Sequence, residues 1–247
     1  MIGRYDHGPV TEVRLERPER RNALDTAHCR DLHTTAAAAH ADGARVLVLT
    51  GEGTAFCSGA DLDTVGDAGF LSALYGMLHH LVELPIPVVA AVHGPAIGAG
   101  TQLAIAADLR VVAPAGVFGL PTAALGLAVD PWTVRRLALL AGGGPARRML
   151  LACERLDHAA ADAAGLVDRT GDADVARAWA TKIAALAPLT LAYNKLAAHR
   201  LLETRPAGTD AVPHDVVAAF DACWASEDLQ EGRRAREEKR APVFRGV

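Results

Sequence analysis

The stretch that decides the fold is Pro87-Val-Val-Ala-Ala-Val-His-Gly-Pro-Ala-Ile-Gly-Ala-Gly-Thr-Gln-Leu-Ala-Ile-Ala-Ala-Asp108. Its β-branched apolar start predicts a buried strand. A turn through Gly94-Pro95 follows, and the alanine-rich run from Ala99 to Ala107 is typical of a tightly packed helix. A glycine pair surrounds the start of this helix. Unpaired N–H groups at a helix N-terminus can hold an oxyanion, and glycine lets a ligand approach the backbone closely.

This glycine pair is ambiguous when it is taken alone, because a plain tight turn has the same pattern. A dinucleotide-binding loop is excluded, since Leu103 stands where its third glycine is needed. A phosphate-binding loop is excluded as well, because no Gly-Lys-Ser/Thr follows. Specificity for a ligand therefore has to come from a second stretch of the chain.

The composition indicates a globular protein that binds neither nucleic acid nor a membrane interior. Apolar residues make up 51% of the 247 residues, and Lys+Arg 25 against Asp+Glu 29 gives a net charge of −4. This balance, with 4% aromatic residues, excludes a general nucleic-acid binder. The cysteines are far apart, the N-terminus is charged and prolines interrupt the apolar run near residue 90. We therefore expect a cytoplasmic protein without disulfides, metal sites, a leader or a transmembrane segment.

The N-terminal part of the chain predicts a strand, a basic turn, a helix and a second strand. Residues 10–16 alternate apolar and charged side chains, as in a half-exposed strand. In the basic turn 17–25, Asn22 or Asp25 is expected to cap a helix that runs to about Ala41. Residues 45–50 predict a strand that is buried on both faces. The arginines of the turn are open to two interpretations, phosphate ligands or a solvated loop.

A second small-residue loop, residues 51–62, follows this second strand. Its sequence is Gly51-Glu-Gly-Thr-Ala-Phe-Cys-Ser-Gly-Ala-Asp-Leu62, and Asp61 is expected to start a helix. The chain thus contains two strands that are each followed by a turn of small residues, one at residues 51–62 and the other before Ala99. Two backbone N–H groups that converge on one oxygen form an oxyanion hole, which suits a carbonyl that becomes an enolate.

Three segments together resemble the signature segments of the crotonase (enoyl-CoA hydratase/isomerase) superfamily. They are Arg17-Pro-x-Arg-Arg-Asn-Ala-Leu24, Ala55-Phe-Cys-Ser-Gly-Ala-Asp-Leu62 and His93-Gly-Pro-Ala-Ile-Gly-Ala-Gly100. Their order and spacing match over nearly the whole chain, and the chain looks closest to an actinobacterial enoyl-CoA-hydratase-like subgroup. The resemblance implies an α/β fold, a spiral of strand–strand–helix turns over residues 1–172. A C-terminal helical region, residues 173–247, is then expected to form trimer contacts and to cover a neighbouring site.

The resemblance also implies the site residues. The oxyanion-hole donors are expected to be the backbone N–H groups of Ala60 and Ala99. Contacts to the CoA and acyl parts of the ligand are expected from these residues: Arg20, Arg21, Ala23, Ser58, Asp61, Leu62, Gly98, Gln102, Thr122, Trp132 and Lys239. Other interpretations stay open for some of them, a solvated tail for Lys239 and simple packing for Trp132 and His93. CoA enters only as part of the ligand, and no cofactor or metal is expected.

Further along the chain, a helical stripe within residues 64–83 is expected to flank the acyl pocket or to be plain core. Strands are predicted for 108–113 and after Gly165, and Pro145 is expected to start a helix that ends near residue 151. Four long helices are predicted beyond that point: 175–187, 188–202, 212–225 and 226–238.

The chain departs from the hydratase pattern at the two positions where hydratases carry glutamate. Here Gln102 and Thr122 stand in their place, and neither side chain titrates near neutral pH. General acid–base groups contribute roughly 10²–10⁴-fold each, so efficient hydration is not expected. Asp130 lies where some isomerase and dehalogenase relatives place an acidic base or nucleophile. An aspartate before Pro131 is equally an ideal helix cap.

Three functional hypotheses follow from these residues. The first is a protein that binds fatty acyl-CoA, as a homotrimer or dimer of trimers, with little or no hydratase activity, and that hands its ligand to an acyl-chain-processing partner. The second is an active enoyl-CoA isomerase, or another enzyme of thioester chemistry, that uses Asp130. The third is a hydratase of low activity.

Overall fold

The computed structural model describes residues 1–64, 69–203 and 213–247. Within these residues the strands have the following bounds: β1 Ile2–His7, β2 Val10–Leu15, β3 Val46–Gly51, β4 Val88–Val92, β5 Pro95–Ile97, β6 Leu109–Val112, β7 Val117–Gly119, β8 Arg155–Leu156 and β9 Arg169–Thr170. The helices are α1 Thr26–Ala41, α2 Phe70–Glu83, α3 Ala99–Ala106, α4 Pro131–Ala141, α5 Gly143–Leu151, α6 His158–Ala163, α7 Ala173–Ala184, α8 Pro188–Ala198, α9 His214–Ala225 and α10 Glu227–Glu237. A π-helical segment, His199–Glu203, continues α8.

The strands form two sheets. The larger sheet has six strands in the order β1-β2-β3-β4-β6-β9, and every pair except β1–β2 is parallel. The smaller sheet has the order β5-β7-β8. The short step from β4 to β5 moves the chain from one sheet to the other just before α3 begins. This placement sets the N-terminus of α3 at the boundary between the two sheets.

Both faces of the larger sheet are covered, which explains the continuous apolar runs of its central strands. In β3 the side chains of Leu47 and Leu49 join the core cluster that includes α1, α2 and α3, whereas Val46 and Val48 face α7 on the other side. This alternation follows the two-residue period of a strand. Each fully buried side chain of this size stabilises the fold by about 1.5–3 kcal/mol. Helix α7 is thus packed on the sheet, while the boundary at residue 173 stays a prediction.

Several expected elements are observed with small shifts. Asp25, and not Asn22, caps α1, because its carboxylate accepts from the backbone N–H of His28 at 2.9 Å. Pro131 begins α4 as expected. The helix expected from Pro145 begins earlier, at Gly143. The C-terminal helices lie close to their predicted ranges, although the expected start at 212 and residues 65–68 of the predicted flanking helix lie outside the described residues.

Three predictions of secondary structure are wrong or incomplete. No helix starts at Asp61, because residues 62–64 form only a turn, in which Asp61 Oδ1 accepts from the Asp63 amide at 3.2 Å while Oδ2 pairs with Arg17 at 2.9 Å. The strand expected directly after Gly165 is absent there, since the amide of Leu166 donates back to the end of α6 at 2.9 Å. A short strand, β9, lies a few residues later. The sequence predicted none of the strands β1, β5, β7 and β8.

Among the described residues, none of the helices combines the length and the apolar character that a membrane span requires. The exposed apolar side chains lie instead at scattered helix surfaces. Those of the C-terminal region include Leu186, Leu202, Phe220 and Trp224.

Candidate functional site

The candidate site lies where two small-residue loops pack against each other. The amide of Cys57 donates to the Pro95 carbonyl at 3.1 Å, and the amide of Ile97 donates to the Cys57 carbonyl at 3.0 Å. At Gly59, where φ is +111°, a Cβ atom would stand 2.8 Å from the Ile97 carbonyl oxygen and 3.7 Å from the amide nitrogen of Ala99. Only glycine therefore lets the two loops approach so closely.

Two backbone amides at this junction meet no protein acceptor among the residues that the structure describes. The bonds from Leu24 N to Gly59 O at 2.8 Å and from Asp61 N to Leu24 O at 2.7 Å lie on either side of Ala60, so the N–H of Ala60 points away from Leu24. Ala99 is the first residue of α3, where helical N–H groups lack an intrahelical acceptor. Within the described parts of the chain, neither amide donates a hydrogen bond to a protein acceptor.

Both residues line one cavity of about 410 Å³. Helix α2 supplies an apolar wall, and the segment before α4 closes the opposite side. The lining comprises Ser58, Gly59, Ala60, Leu62, Phe70, Leu71, Leu74, Tyr75, Ile97, Gly98, Ala99, Gln102, Pro121, Thr122, Leu125, Gly126, Leu127, Ala128 and Val129. A mostly apolar cavity with a few polar groups in its lining suits a ligand that combines an apolar chain with a polar group.

The loop of residues 51–62 is fixed by hydrogen bonds from Asn22, which is itself bonded to Arg17. The buried Asn22 side chain donates to the carbonyl oxygens of Glu52, Ala55 and Phe56 at 2.9, 2.8 and 3.3 Å. Its own oxygen accepts from the amide of Arg17 at 3.0 Å. Because these carbonyls would otherwise be buried without partners, Asn22 contributes to the shape of the loop that presents Ala60.

The polar side chains of the cavity are neutral hydrogen-bonding groups. Gln102 is 3% exposed, and its Nε2 donates to the Thr133 hydroxyl at 2.8 Å. Burial raises the pKa of the Tyr75 hydroxyl, and the Asp130 carboxylate raises it further. The backbone N–H of Asp130 and the side chain of Gln102 oppose this rise in the pKa. Nearby, burial raises the pKa of the Cys57 thiol to about 12, so this side chain stays a neutral thiol and is a poor nucleophile.

Asp130 caps α4. Its Oδ1 accepts from the backbone N–H of Thr133 at 3.2 Å and from the Thr133 hydroxyl at 2.5 Å. The residue is absent from the cavity lining, although its neighbour Val129 belongs to it. The same carboxylate oxygen thus serves a structural role that an N-cap performs in many proteins.

The other expected site residues divide into two groups. Ser58, Leu62, Gly98, Gln102 and Thr122 line the cavity together with Ala60 and Ala99. The remaining ones lie elsewhere: Arg20, Arg21, Ala23, Asp61, Trp132 and Lys239.

Each residue of this second group has other surroundings. Arg20 pairs with Asp63 at 3.2 Å, and the exposed Arg21 offers its carbonyl oxygen to the Ser58 amide at 2.9 Å. Ala23 is buried, Asp61 pairs with Arg17, and Lys239 is exposed beyond α10. Trp132 lies 5.2 Å from the His79 ring, and the His93 ring contacts the Gly53 carbonyl at 3.1 Å.

Thr133 is the residue of this region that the analysis of the sequence missed. Its hydroxyl connects Gln102 of α3 with Asp130. Thr133 is 31 positions away from Gln102 in the chain and three positions away from Asp130. A threonine at the third position of a helix carries no local signal for such a role. Tyr75 lies within the helical stripe that the sequence predicts in residues 64–83, and its contact with Gln102 depends on how α2 packs against α3.

The fold and this cavity place the chain in the class of crotonase-fold proteins. A crotonase-fold structure from Hyphomonas neptunium, an enoyl-CoA hydratase/isomerase family protein, superposes with a TM-score of 0.89 at 29% identity, over 100% of this chain and 98% of that chain. An enoyl-CoA hydratase/carnitine racemase from Magnetospirillum magneticum gives a TM-score of 0.89 at 30% identity, over 100% and 96%.

The sequence comparison leads to the same class and defines the family. The family model for enoyl-CoA hydratase/isomerase matches residues 6–247. A Mycobacterium tuberculosis protein named probable enoyl-CoA hydratase echA6 is 45% identical over 249 residues, which cover 100% of both chains. The chain therefore belongs to the enoyl-CoA hydratase/isomerase family.

Proposed function

We propose that the protein binds fatty acyl-CoA thioesters, with the thioester oxygen held by the amides of Ala60 and Ala99, and has little or no hydratase activity. The observation that carries this proposal is the pair of amides that, within the described residues, lack protein acceptors and whose residues line one largely apolar cavity. Backbone donors that are fixed before the ligand arrives stabilise a developing oxyanion at no cost of reorganisation. Family membership supports CoA as the carrier of the acyl group.

The low hydratase activity follows from the two side chains that stand in place of the expected glutamates. Hydration needs a base that activates water and an acid that protonates the α-carbon. Gln102 and Thr122 both line the cavity, and an amide and a hydroxyl can do neither near neutral pH. Losing two groups that each contribute roughly 10²–10⁴-fold leaves only what the oxyanion contacts and binding supply.

Asp130 supports the competing proposal, an enoyl-CoA isomerase or another enzyme of thioester chemistry. One observation favours it, because the carboxylate lies close enough to Tyr75 to raise the pKa of that hydroxyl. Against it, one carboxylate oxygen accepts two hydrogen bonds from Thr133. We therefore assign Asp130 to capping in the primary proposal.

The deciding experiment combines calorimetric titration with octanoyl-CoA and an absorbance assay of crotonyl-CoA hydration. We expect saturable binding and hydration that is hardly faster than the background. Hydration at ordinary enzymatic rates refutes the proposal, and absence of binding to acyl-CoAs of any chain length does so as well. Turnover of another acyl-CoA that Asp130→Asn abolishes establishes the competing proposal.

A proline substitution tests the backbone donor directly. Ala99 is the first residue of α3, a position where proline fits a helix and removes only the N–H group. Ala99→Pro is expected to weaken octanoyl-CoA binding by about 3- to 10-fold, the value of one hydrogen bond. The matched control is Ala173→Pro at the first residue of α7, which is expected to leave binding unchanged. Equal binding by both variants contradicts the role of the Ala99 amide.

The association of the chain and its protein partner belong to the same proposal. We expect a homotrimer or dimer of trimers, supported by apolar side chains exposed in the C-terminal helices, such as Trp224 at 61%. Light scattering after size-exclusion chromatography measures the mass of the particle in solution, which distinguishes a trimer and a dimer of trimers from a monomer. Delivery of the ligand to an acyl-chain-processing protein stays a prediction.

A further inference from the structure

A buried hydroxyl group connects the first turn of α3 to the smaller sheet. Thr101 is the third residue of α3, and its side chain is completely buried. Its Oγ1 donates to the carbonyl oxygens of Ala96 in β5 and Gly119 in β7, at 2.6 and 2.9 Å. The same oxygen accepts from the backbone N–H of Gly119 at 3.1 Å. Polar groups at this depth are costly without partners, so these bonds fix where the helix begins.

The hydroxyl of Thr101 acts as donor and acceptor at once. Its one proton lies between two carbonyl oxygens, with the shorter contact to Ala96, and a lone pair accepts from Gly119. Strands β5 and β7 are parallel neighbours in which Ile97 lies opposite Gly119. The hydroxyl therefore joins three elements, α3, β5 and β7, at one point.

The Ala99 amide lies between two connections to the same residue of β7. The backbone N–H of Gly98 donates to the Gly119 carbonyl at 2.8 Å, and Thr101 bonds to both the carbonyl and the N–H of Gly119. Residues 98 and 101 flank Ala99 and Gly100 in the chain. Gly98, the N-cap of α3, caps the helix with no side chain. The Thr101 hydroxyl thus serves the first turn of α3 in place of a side-chain cap.

We propose that Thr101 is a positioning residue, whose hydroxyl holds the start of α3 on β5 and β7 so that the Ala99 amide can donate to the thioester oxygen of a bound acyl-CoA. This inference rests on the proposed function, because it requires the thioester oxygen to lie at the amides of Ala60 and Ala99. Thr101 is absent from the lining of the cavity, so its effect on the ligand passes through the backbone.

The direction of a backbone N–H group depends on the backbone alone. A hydrogen bond weakens steeply as its angle and distance depart from the ideal, and Ala99 has no rotatable bond with which to re-aim its amide. Removing the hydroxyl takes a buried partner from the Ala96 carbonyl and from the Gly119 amide, so the backbone there has to rearrange. A donor that has to rearrange loses the advantage of being fixed before the ligand arrives.

The test isolates the thioester oxygen by comparing octanoyl-CoA with S-octyl-CoA, the thioether that lacks this oxygen. Calorimetry on the full chain measures both affinities. We expect the wild type to bind octanoyl-CoA about tenfold or more tightly, because each of two amides contributes about 3- to 10-fold. Thr101→Val keeps the shape of the side chain without the hydroxyl, and it is expected to lower this ratio by about 3- to 10-fold. Thr101→Ser retains the hydroxyl and is expected to keep the wild-type ratio.

The matched control is Thr181→Val in α7. The Thr181 hydroxyl also donates to a backbone carbonyl, that of Arg177 at 2.9 Å, but it lies at an exposed position. This control is expected to leave both affinities unchanged. A purely structural role of Thr101 lowers the stability, or weakens both ligands together, and leaves the ratio of the two affinities at its wild-type value.

The outcomes separate this inference from the proposed function. If Thr101→Val keeps the wild-type ratio, the inference is overturned and the proposed function stands. If the wild type binds both ligands equally, the amides do not hold the thioester oxygen, and the proposed function fails together with the inference. Absence of binding to either ligand has the same consequence. Should Thr101→Val not fold, Thr101→Cys replaces it, because a thiol is only a weak donor and acceptor, and the same fall in the ratio is expected.

Discussion

A single methyl group at Gly100 tests how the two loops of the site depend on each other. A Cβ atom at this position would stand 2.0 Å from the carbonyl oxygen of Cys57 and 2.8 Å from its carbonyl carbon. Both atoms belong to backbone and cannot rotate aside. Gly100→Ala therefore has to push α3 away from the loop that presents Ala60, and it strains the bond from Ile97 N to Cys57 O.

The expected magnitude combines two effects of opposite sign. Overpacking by one methyl group against backbone costs about 3 kcal/mol, the upper end of its usual range. Alanine is a better helix former than glycine by about 1 kcal/mol, which offsets part of this cost. The net loss is about 2 kcal/mol. In a chain of this length such a loss lowers the melting temperature by about 4–8 °C.

The assay is thermal unfolding together with octanoyl-CoA titration, and Gly76→Ala is the matched control. Gly76 lies in the middle of α2, and a Cβ atom there meets nothing within 4 Å. This control is expected to raise the melting temperature by about 2–4 °C and to leave binding unchanged. Gly100→Ala is expected to weaken binding by about tenfold or more, because the two donor amides move apart. A Gly100→Ala protein that matches the control in stability and binding refutes the reasoning.

Two further predictions concern stability. Asn22→Asp places an acceptor where a donor faces three carbonyl oxygens, so it is expected to lower the free energy of unfolding in urea by about 3 kcal/mol. The control, Asn194→Asp at an exposed position, is expected to change this free energy by no more than about 0.5 kcal/mol. Similar losses in the two variants contradict this account of Asn22. Burial and then the His33 ring, stacked at 4.1 Å, lower the pKa of His80 below its usual 6.5, so unfolded His80 binds a proton at a pH where folded His80 does not. The free energy of unfolding is therefore expected to fall as the pH drops below about 6.5, until the lower folded-state pKa is passed. His80→Phe is expected to flatten this dependence of the free energy of unfolding on pH. The control, His214→Phe at an exposed position, is expected to leave it unchanged. A pH profile that His80→Phe does not alter contradicts the assignment of this dependence to His80.

Features that depend on neighbours along the chain could be predicted from the sequence. Asp25 caps α1, Pro131 begins α4 and Pro188 begins α8, because a cap or a first-turn proline acts within a few residues. The apolar run of β3 predicted its burial on both faces, and that of β4 predicted a buried strand. The signature segments then gave the family, which the comparisons confirm.

Features that depend on distant partners could not be predicted in this way. Strand β5 exists because it pairs with β7, from which α3 and β6 separate it in the chain. Asp61 is an acceptable helix cap in its local sequence, and its Oδ1 accepts from the Asp63 amide at 3.2 Å. Its Oδ2 pairs with Arg17 from an earlier turn, a contact that the local sequence does not announce.

The amino-acid sequence by itself determined the glycine-rich loops, the long apolar strands and most of the helices, and the neutral residues at positions 102 and 122. Only the tertiary structure decided that Ala60 and Ala99 line one cavity, with amides that meet no acceptor within the described residues, and that Gln102 donates to the Thr133 hydroxyl. The physical reason is the range of the interactions. Backbone preferences and caps act over one helical turn, whereas the direction of a buried hydrogen bond depends on whichever group the folded chain brings within about 3 Å.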